Sequence, residues 1–204
     1  MERFAPVKPE DLSAEDKALW NELSEIKDKL FGDHFVLKQA DGSFAGPFET
    51  AYELPDAFRA FINSAVQLGK TPELPKDARE TAIMVVGAYY NSGYEIYAHE
   101  RLAKLAGLTW RQIDFIKIGK KPSGEDELSE SCSIAYDVAI ELLEGSGRRG
   151  RLSDEMWDKA VEAFGKRGAL CLAHYIGYYA YACMLMNAAG VGLPQSESIK
   201  KVEI

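Results

Sequence analysis

Three residues near the middle of the chain have the types and the spacing that proton transfer needs. Glu95 and His99 lie four apart in "YNSGYEIYAHERLAKLAGL", residues 90 to 108. In a helix they stand one turn apart on the same side, within reach of each other. At 100° per residue, Ser92, Glu95, His99, Leu102 and Ala106 fall in one narrow stripe, and Glu100, Arg101 and Lys104 occupy the opposite side. The charged side is expected to be the wet one. Glu95 and His99 then project inward, where lost hydration has to be offset by hydrogen bonds, ion pairing or a wet pocket. Glu80 is the third conspicuous ion, placed in the first turns of a segment, "TAIMVVGAYY", that is otherwise nearly devoid of charge. Free amides and the helix dipole favour a carboxylate there.

The same three side chains also fit a purely structural role. Glu95 and His99 would then be a buried i,i+4 pair that fixes helix register, with Glu80 a dipole partner of its own helix. A metal site is disfavoured, since a carboxylate di-iron bundle uses two E-x-x-H elements and a zincin uses H-E-x-x-H, whereas this region has one histidine. No metal is expected. Tyr89, Tyr90, Tyr94 and Tyr97 surround the turn before the Glu95 helix and are either core aromatics or substrate contacts. His34 reads as a loop histidine and His174 as a satisfied core histidine.

The elements that must position these residues are helical almost throughout. Ser13 caps a first helix with Leu19, Trp20, Leu23, Ile26 and Leu30 at steps of three and four. The Asp-Gly and Gly-Pro pairs in "HFVLKQADGSFAGPFET" mark turns and leave room at most for a short hairpin. A second helix starts at Pro55 and stops at Gly69, and a third runs from about Lys76 to Asn91, apolar on nearly every face. The fourth carries Glu95 and His99 and ends at Gly107. Thr109 and Gln112 form a capping box for the fifth, and amphipathic segments follow at 128–143 and at 154–164, the latter capped by Ser153. A last long helix, about 167–189, is apolar all round. The endings "LAGL" and "AAGV" are either a weak internal repeat or two uses of the common glycine stop.

The expected fold class is therefore all-α, a bundle of about eight helices in one domain. Its core spans about 40–194, with an N-terminal helical extension over 1–39 and a polar tail over 195–204. Of 204 residues, 47% are hydrophobic and 27% charged, the make-up of a protein with a core. A net charge of −8 argues against nucleic-acid or anionic-membrane partners, and the short basic "GRRGR" at 147–151 does not alter that. No signal-peptide pattern opens the chain and no apolar run is expected to span a bilayer, so a cytoplasmic location is expected. Cys132, Cys171 and Cys183 are odd in number and far apart, and read as reduced structural thiols.

The order "RE", apolar helix, "YExxxH" and "AG" plus an apolar residue resembles the carboxymuconolactone decarboxylase family, which shares its fold with alkyl hydroperoxidase D. The upstream "DGSFAGPF", the helix entry "LPKDARE" and the C-terminal "LCLAHYIGYYAYACMLMNAAGVGLP" extend the resemblance over most of residues 40–194. In the peroxidase branch it would place a glutamate at Glu80, redox cysteines at Ser92 and Glu95, and a histidine at His99. A hydroxyl and a carboxylate cannot run thiol–disulfide exchange, so the thiol peroxidase reading is set aside and acid–base machinery remains.

The resemblance implies a cofactor-free enzyme acting on a small cyclic acid or lactone, with His99 transferring the proton and Glu95 or Glu80 orienting it. Burial and a neighbouring carboxylate push an imidazole pKa in opposite directions, so His99 is expected near neutrality. Ser92, Tyr89, Tyr90, Tyr94, Ile96 and Ala88 are the expected substrate-binding residues. Family members often carry an arginine and a tryptophan where this chain has Ala88 and Ile96, which points to a roomier, less cationic pocket for a larger or more neutral ring. Isomerisation or ring opening by the same residues, and a non-catalytic binding or scaffold protein, are the competing readings. A small-molecule substrate is the expected partner. The abundance of apolar helices favours a homo-oligomer, and the resemblance implies a trimer or hexamer.

Overall fold

A computed structural model describes residues 3, 4, 6–30, 32–145 and 150–196. The Leu30 side chain, residues 147–149 of the basic run and the tail beyond 196 lie outside that description. The α-helices are α1 (Ala14–Leu30), α2 (Pro55–Leu68), α3 (Lys76–Tyr89), α4 (Gly93–Ala106), α5 (Trp110–Lys117), α6 (Glu130–Glu144) and α7 (Asp154–Ala189). Short 3-10 turns occupy Pro9–Asp11, Gly46–Thr50 and Gly124–Asp126.

The helix ends follow local chemistry. Ser129 and Ser153 cap α6 and α7 through their hydroxyls, and Thr109 with Gln112 makes a reciprocal capping box on α5. α3 ends two residues earlier than its pattern indicates, because Asn91 adopts φ 49° and turns the chain into α4. Asparagine tolerates that left-handed conformation better than most residues. Gly107 and Gly190 are both left-handed, and the amides of Leu108 and Val191 reach back five residues, to Ala103 and Met186, at 3.0 Å. The similar "AG" endings are thus one glycine-stop geometry used twice.

The two expected C-terminal helices follow one another without an intervening loop within Asp154–Ala189. Gly165, with φ of 67° and ψ of 167°, breaks the helical path between them, so the seven α-helices contain eight helical segments. By length and composition α7 is long and apolar enough to cross a membrane, which corrects the expectation that no run is. In this fold it packs against α3 and α6, with 44% of its most apolar window buried. The expected hairpin is one antiparallel bridge between Lys38 and Phe44, and there is no strand among the described residues.

Two apolar clusters organise the interior. One joins α3, α5, α6 and the inner face of α7 around Ile83, Met84, Ile113, Val138 and Leu172. The other packs α1, the 35–51 segment and α2 against Tyr94, Tyr97 and Ala98 of α4 and Ala182 and Met186 of α7. α3 and α4 approach closely at Gly87, where a Cβ would sit 3.4 Å from Ile96 and 3.6 Å from Glu95. The N-terminal residues therefore form a wall over α4 and the helix pair that carries the ionic cluster.

Candidate active site

α3 and α4 bring Glu80, Glu95 and His99 together. His99 Nδ1 donates to Glu80 Oε2 at 2.7 Å, and His99 Nε2 lies 3.0 Å from Glu95 Oε1. Both carboxylates partner the imidazole, whereas spacing alone left the choice between them open. Arg79 extends the row, its guanidinium meeting Glu80 Oε1 at 2.9 to 3.0 Å. Arg79, Glu80, His99 and Glu95 thus form a ladder of alternating charge. Glu80 is 2% exposed, Glu95 5% and His99 8%, so the charges survive in the interior because each has a partner.

The second carboxylate changes the titration. Burial is the largest single influence on His99 and disfavours its charge, but Glu80 and Glu95 together outweigh it and push its pKa up to about 9. The near-neutral value expected from one carboxylate is corrected: at pH 7 the ring is an imidazolium, an acid rather than a base. Glu80 is likewise opposed by burial, yet His99 and Arg79 hold its carboxyl below the usual value. The ring of Tyr179 stands edge-on to the imidazole, with centroids 4.8 Å apart.

His99 stands between two cavities that share Phe35, Ala65 and Tyr179 with it. The smaller, about 60 Å³, is largely apolar and holds Glu95, Tyr94 and Tyr178 in its wall. It has room for a few waters. The larger, about 440 Å³, carries Glu80 and Arg79 together with Lys70, Lys76 and Tyr175. That volume suits a small organic molecule.

Of the expected binding residues, Tyr94 alone borders a cavity that reaches His99. Its hydroxyl is already engaged, donating to the Val36 carbonyl at 2.9 Å, while the Val36 amide donates to the Tyr97 hydroxyl at 3.1 Å. These two tyrosines fasten the N-terminal wall to α4. Ser92 is 1% exposed, and its hydroxyl lies against the Cys183 thiol. Tyr89 is 37% exposed and stacks edge-on with Tyr90, which packs with Ile96 on the main core. Ala88, in the last turn of α3, lines neither cavity.

Other expectations are corrected. The charged side of α4 is not fully wet: the Arg101 side chain is 13% exposed, lies 4.0 Å from the Tyr97 ring and bonds Glu100, which also pairs with Lys117 of α5. His174 is exposed rather than core, because it falls on the outer face of α7 with Leu170, Gly177 and Tyr181. The pocket is not poor in cations. Ala88 and Ile96 supply none, but Lys70 at the end of α2 and Lys76 and Arg79 at the start of α3 do. Lys70, Lys76 and Arg79 lie in a connector and a helix entry where exposed cations are ordinary, and only the chain's path shows that they surround one cavity.

No known protein family profile and no curated protein matches the sequence. Solved structures do. The chain superposes on an uncharacterised peroxidase-related protein with an alkylhydroperoxidase AhpD core, from Ralstonia eutropha JMP134, with TM-score 0.73 and 18% identity over 100% of this chain and 97% of that one. It also matches the debrominase Bmp8 in complex with 2,3,4-tribromopyrrole, with TM-score 0.65 and 11% identity over 98% and 97% of the two chains. The apo form of that debrominase gives TM-score 0.65 and 12% identity over 94% and 96%. With helices, turn chemistry and full-length superposition in agreement, the chain has the alkyl hydroperoxidase D-like all-α fold.

Proposed function

We propose that the protein is an acid–base enzyme of the carboxymuconolactone decarboxylase-like kind, using its own side chains to transfer a proton to a small cyclic acid or lactone. One observation carries this reading: a buried imidazolium, clamped by two carboxylates, forms the wall of a cavity of about 440 Å³. Strongly perturbed titratable groups in a cleft are where proton chemistry is found.

In a decarboxylation the bond from ring carbon to carboxylate breaks, carbon dioxide leaves, and the electron pair remains as a dienolate spread onto the lactone carbonyl. The imidazolium of His99 stabilises that charge and delivers the proton to carbon. His99 is then neutral and recovers its proton from water, with Glu80 and Glu95 holding the ring and restoring its basicity. Isomerisation and ring opening use the same donor without loss of carbon dioxide.

Thiol chemistry is not part of this reading. Ser92 and Glu95 occupy the positions that the resemblance assigns to redox cysteines, and Cys132, Cys171 and Cys183 are all buried and unpaired. Burial pushes the Cys183 thiol far up, away from the thiolate that attacks peroxides or disulfides. The debrominase among the structural neighbours, solved with a small halogenated ring, supports a pocket of this fold accepting such a compound.

The test is direct. Pure protein is incubated with cyclic acids and lactones in deuterated water, and carbon dioxide release and deuterium incorporation are measured with the wild type and His99→Gln. Turnover that vanishes in the variant supports the proposal, and no consumption by the wild type refutes it. The full pairing of both His99 nitrogens supports the alternative of a non-catalytic helical protein. In that case His99→Gln only lowers the melting temperature.

A further inference from the structure

Both ring nitrogens of His99 face carboxylates, Nδ1 at 2.7 Å from Glu80 Oε2 and Nε2 at 3.0 Å from Glu95 Oε1. A proton that leaves either nitrogen for carbon cannot at the same time hydrogen-bond the oxygen on which the electron pair comes to rest. That oxygen needs a separate donor, because an oxyanion held away from water is costly without one.

Tyr94, Tyr175, Tyr178 and Tyr179 line the two cavities beside His99. The first three do not qualify. Tyr94 donates to the Val36 carbonyl, and the Tyr175 hydroxyl lies against the Arg79 guanidinium. Tyr178 borders the cavity of about 60 Å³ and not that of about 440 Å³. Tyr179 belongs to the wall of both. Its hydroxyl has no hydrogen bond among the described residues, and its oxygen is not sealed in protein. The ring is held in place by its neighbours, stacked on Tyr175 with centroids 6.2 Å apart and edge-on to Tyr178 at 5.2 Å and to His99 at 4.8 Å. Burial, together with the negative charges of Glu95 and Glu80, pushes the phenol well above its ordinary pKa, so it keeps its proton and remains a donor.

We propose that the Tyr179 hydroxyl is the oxyanion donor of this site, a catalytic residue that hydrogen-bonds the carbonyl oxygen of the bound ring while His99 transfers a proton to carbon. The bond from ring carbon to carboxylate breaks and carbon dioxide leaves. The electron pair moves onto the carbonyl oxygen beside the Tyr179 O–H, then returns to carbon as the His99 proton arrives. Tyr179 keeps its own proton throughout. The inference deepens the acid–base reading and rests on it for the reaction, whereas binding of an oxyanion by Tyr179 needs no turnover.

The experiment is titration of the full chain, followed by absorbance and calorimetry, with 4-nitrophenolate, a planar conjugated oxyanion without a carboxylate, and with nitrobenzene, which has the ring and no oxyanion. It is run on the wild type and on Tyr179→Phe. The variant loses one oxygen and keeps the ring against His99, so its melting temperature and the NMR titration of His99 are expected to match the wild type. The wild type is expected to bind 4-nitrophenolate about tenfold or more tighter than Tyr179→Phe does, the scale of one hydrogen bond to a charged acceptor, while both bind nitrobenzene alike. With a lactone that is turned over, Tyr179→Phe is expected to lower kcat about 10²- to 10³-fold and to leave KM nearly unchanged. Equal 4-nitrophenolate affinity in the two proteins, no 4-nitrophenolate binding by the wild type, an equal loss for nitrobenzene, or an undiminished kcat each overturns the proposal. The two readings fail separately. A protein that shows the 4-nitrophenolate difference and consumes no substrate loses the enzyme reading and keeps the oxyanion site, and turnover abolished by His99→Gln but untouched by Tyr179→Phe removes this inference alone.

Discussion

Glu80 Oε2 lies 2.7 Å from His99 Nδ1, although the two residues are nineteen apart in sequence and on different helices. The contact spans the α3–α4 hairpin and turns a local i,i+4 pair into a clamp, so the imidazole is fixed from both sides. A group held in this way has one orientation and a titration set by its neighbours.

His99→Gln is expected to lower turnover about 10²- to 10⁴-fold, the usual contribution of a positioned acid or base. It also removes the cation that offsets two buried carboxylates, so unfolding free energy should fall by about 3 kcal/mol. Chemical denaturation beside steady-state kinetics separates the two effects. A variant that unfolds more easily yet retains full turnover contradicts the catalytic role.

Stability should depend on pH at both ends. The pKa of His99 rises from an ordinary 6.5 to about 9 on folding, so its stabilisation is complete below pH 6.5 and is lost as pH rises through about 9. That of Glu80 falls below its ordinary 4.5, so its contribution is complete above that value and is lost as pH falls through the lower folded pKa. Both shifts describe the same ion pair, so they do not add. Melting temperature should be highest between these limits, and turnover that needs the imidazolium should fall above about pH 9. A flat melting profile from about pH 6 to about pH 10 would contradict the clamp.

Glu80→Gln and Glu95→Gln should each lower the His99 pKa towards its ordinary value, with the larger change in Glu80→Gln because Glu80 is the stronger influence on the ring. Imidazole carbon-bound proton shifts recorded by NMR across pH provide the readout. Equal titration of all three proteins would show that the carboxylates do not govern the ring.

Gly46→Ala should be strongly destabilising, by about 2 kcal/mol or more. Gly46 has φ 69°, and a Cβ there would overlap the ring of Tyr94, which is pinned by its bond to Val36. The wall over the small cavity would have to shift. Faster amide exchange at Val36 and Leu37, measured together with the loss in unfolding free energy, is the expected signature.

One face of α7 exposes Leu170, Tyr181 and Met184 at 54%, 47% and 50%, with the exposed His174 and Gly177 between them, a spacing of three and four residues typical of helix–helix seams. A homo-oligomer, proposed from the chain's apolar content, should use this face. Sedimentation of Tyr181→Glu/Met184→Glu is expected to give a smaller species than the wild type. Identical sedimentation would contradict an oligomer built on this face.

Features that the chain settles locally are legible in its residues. Ser153, Thr109 with Gln112, Gly107 and Gly190 set helix ends by contacts within a few positions, and the period of α4 turns Glu95 and His99 to one side. These features depend on neighbours in sequence, so spacing is sufficient to find them. The tertiary structure alone decided that Glu80 closes on His99, that Tyr94 and Tyr97 brace Val36 instead of lining the larger cavity, and that Lys70, Lys76 and Arg79 surround one space. It also turned His174 outward and drew Arg101 under cover. Each of these outcomes depends on the angle and depth at which helices distant in sequence pack, which no periodicity encodes. The titration of His99 is a consequence of that packing, because a second carboxylate arrives from another helix.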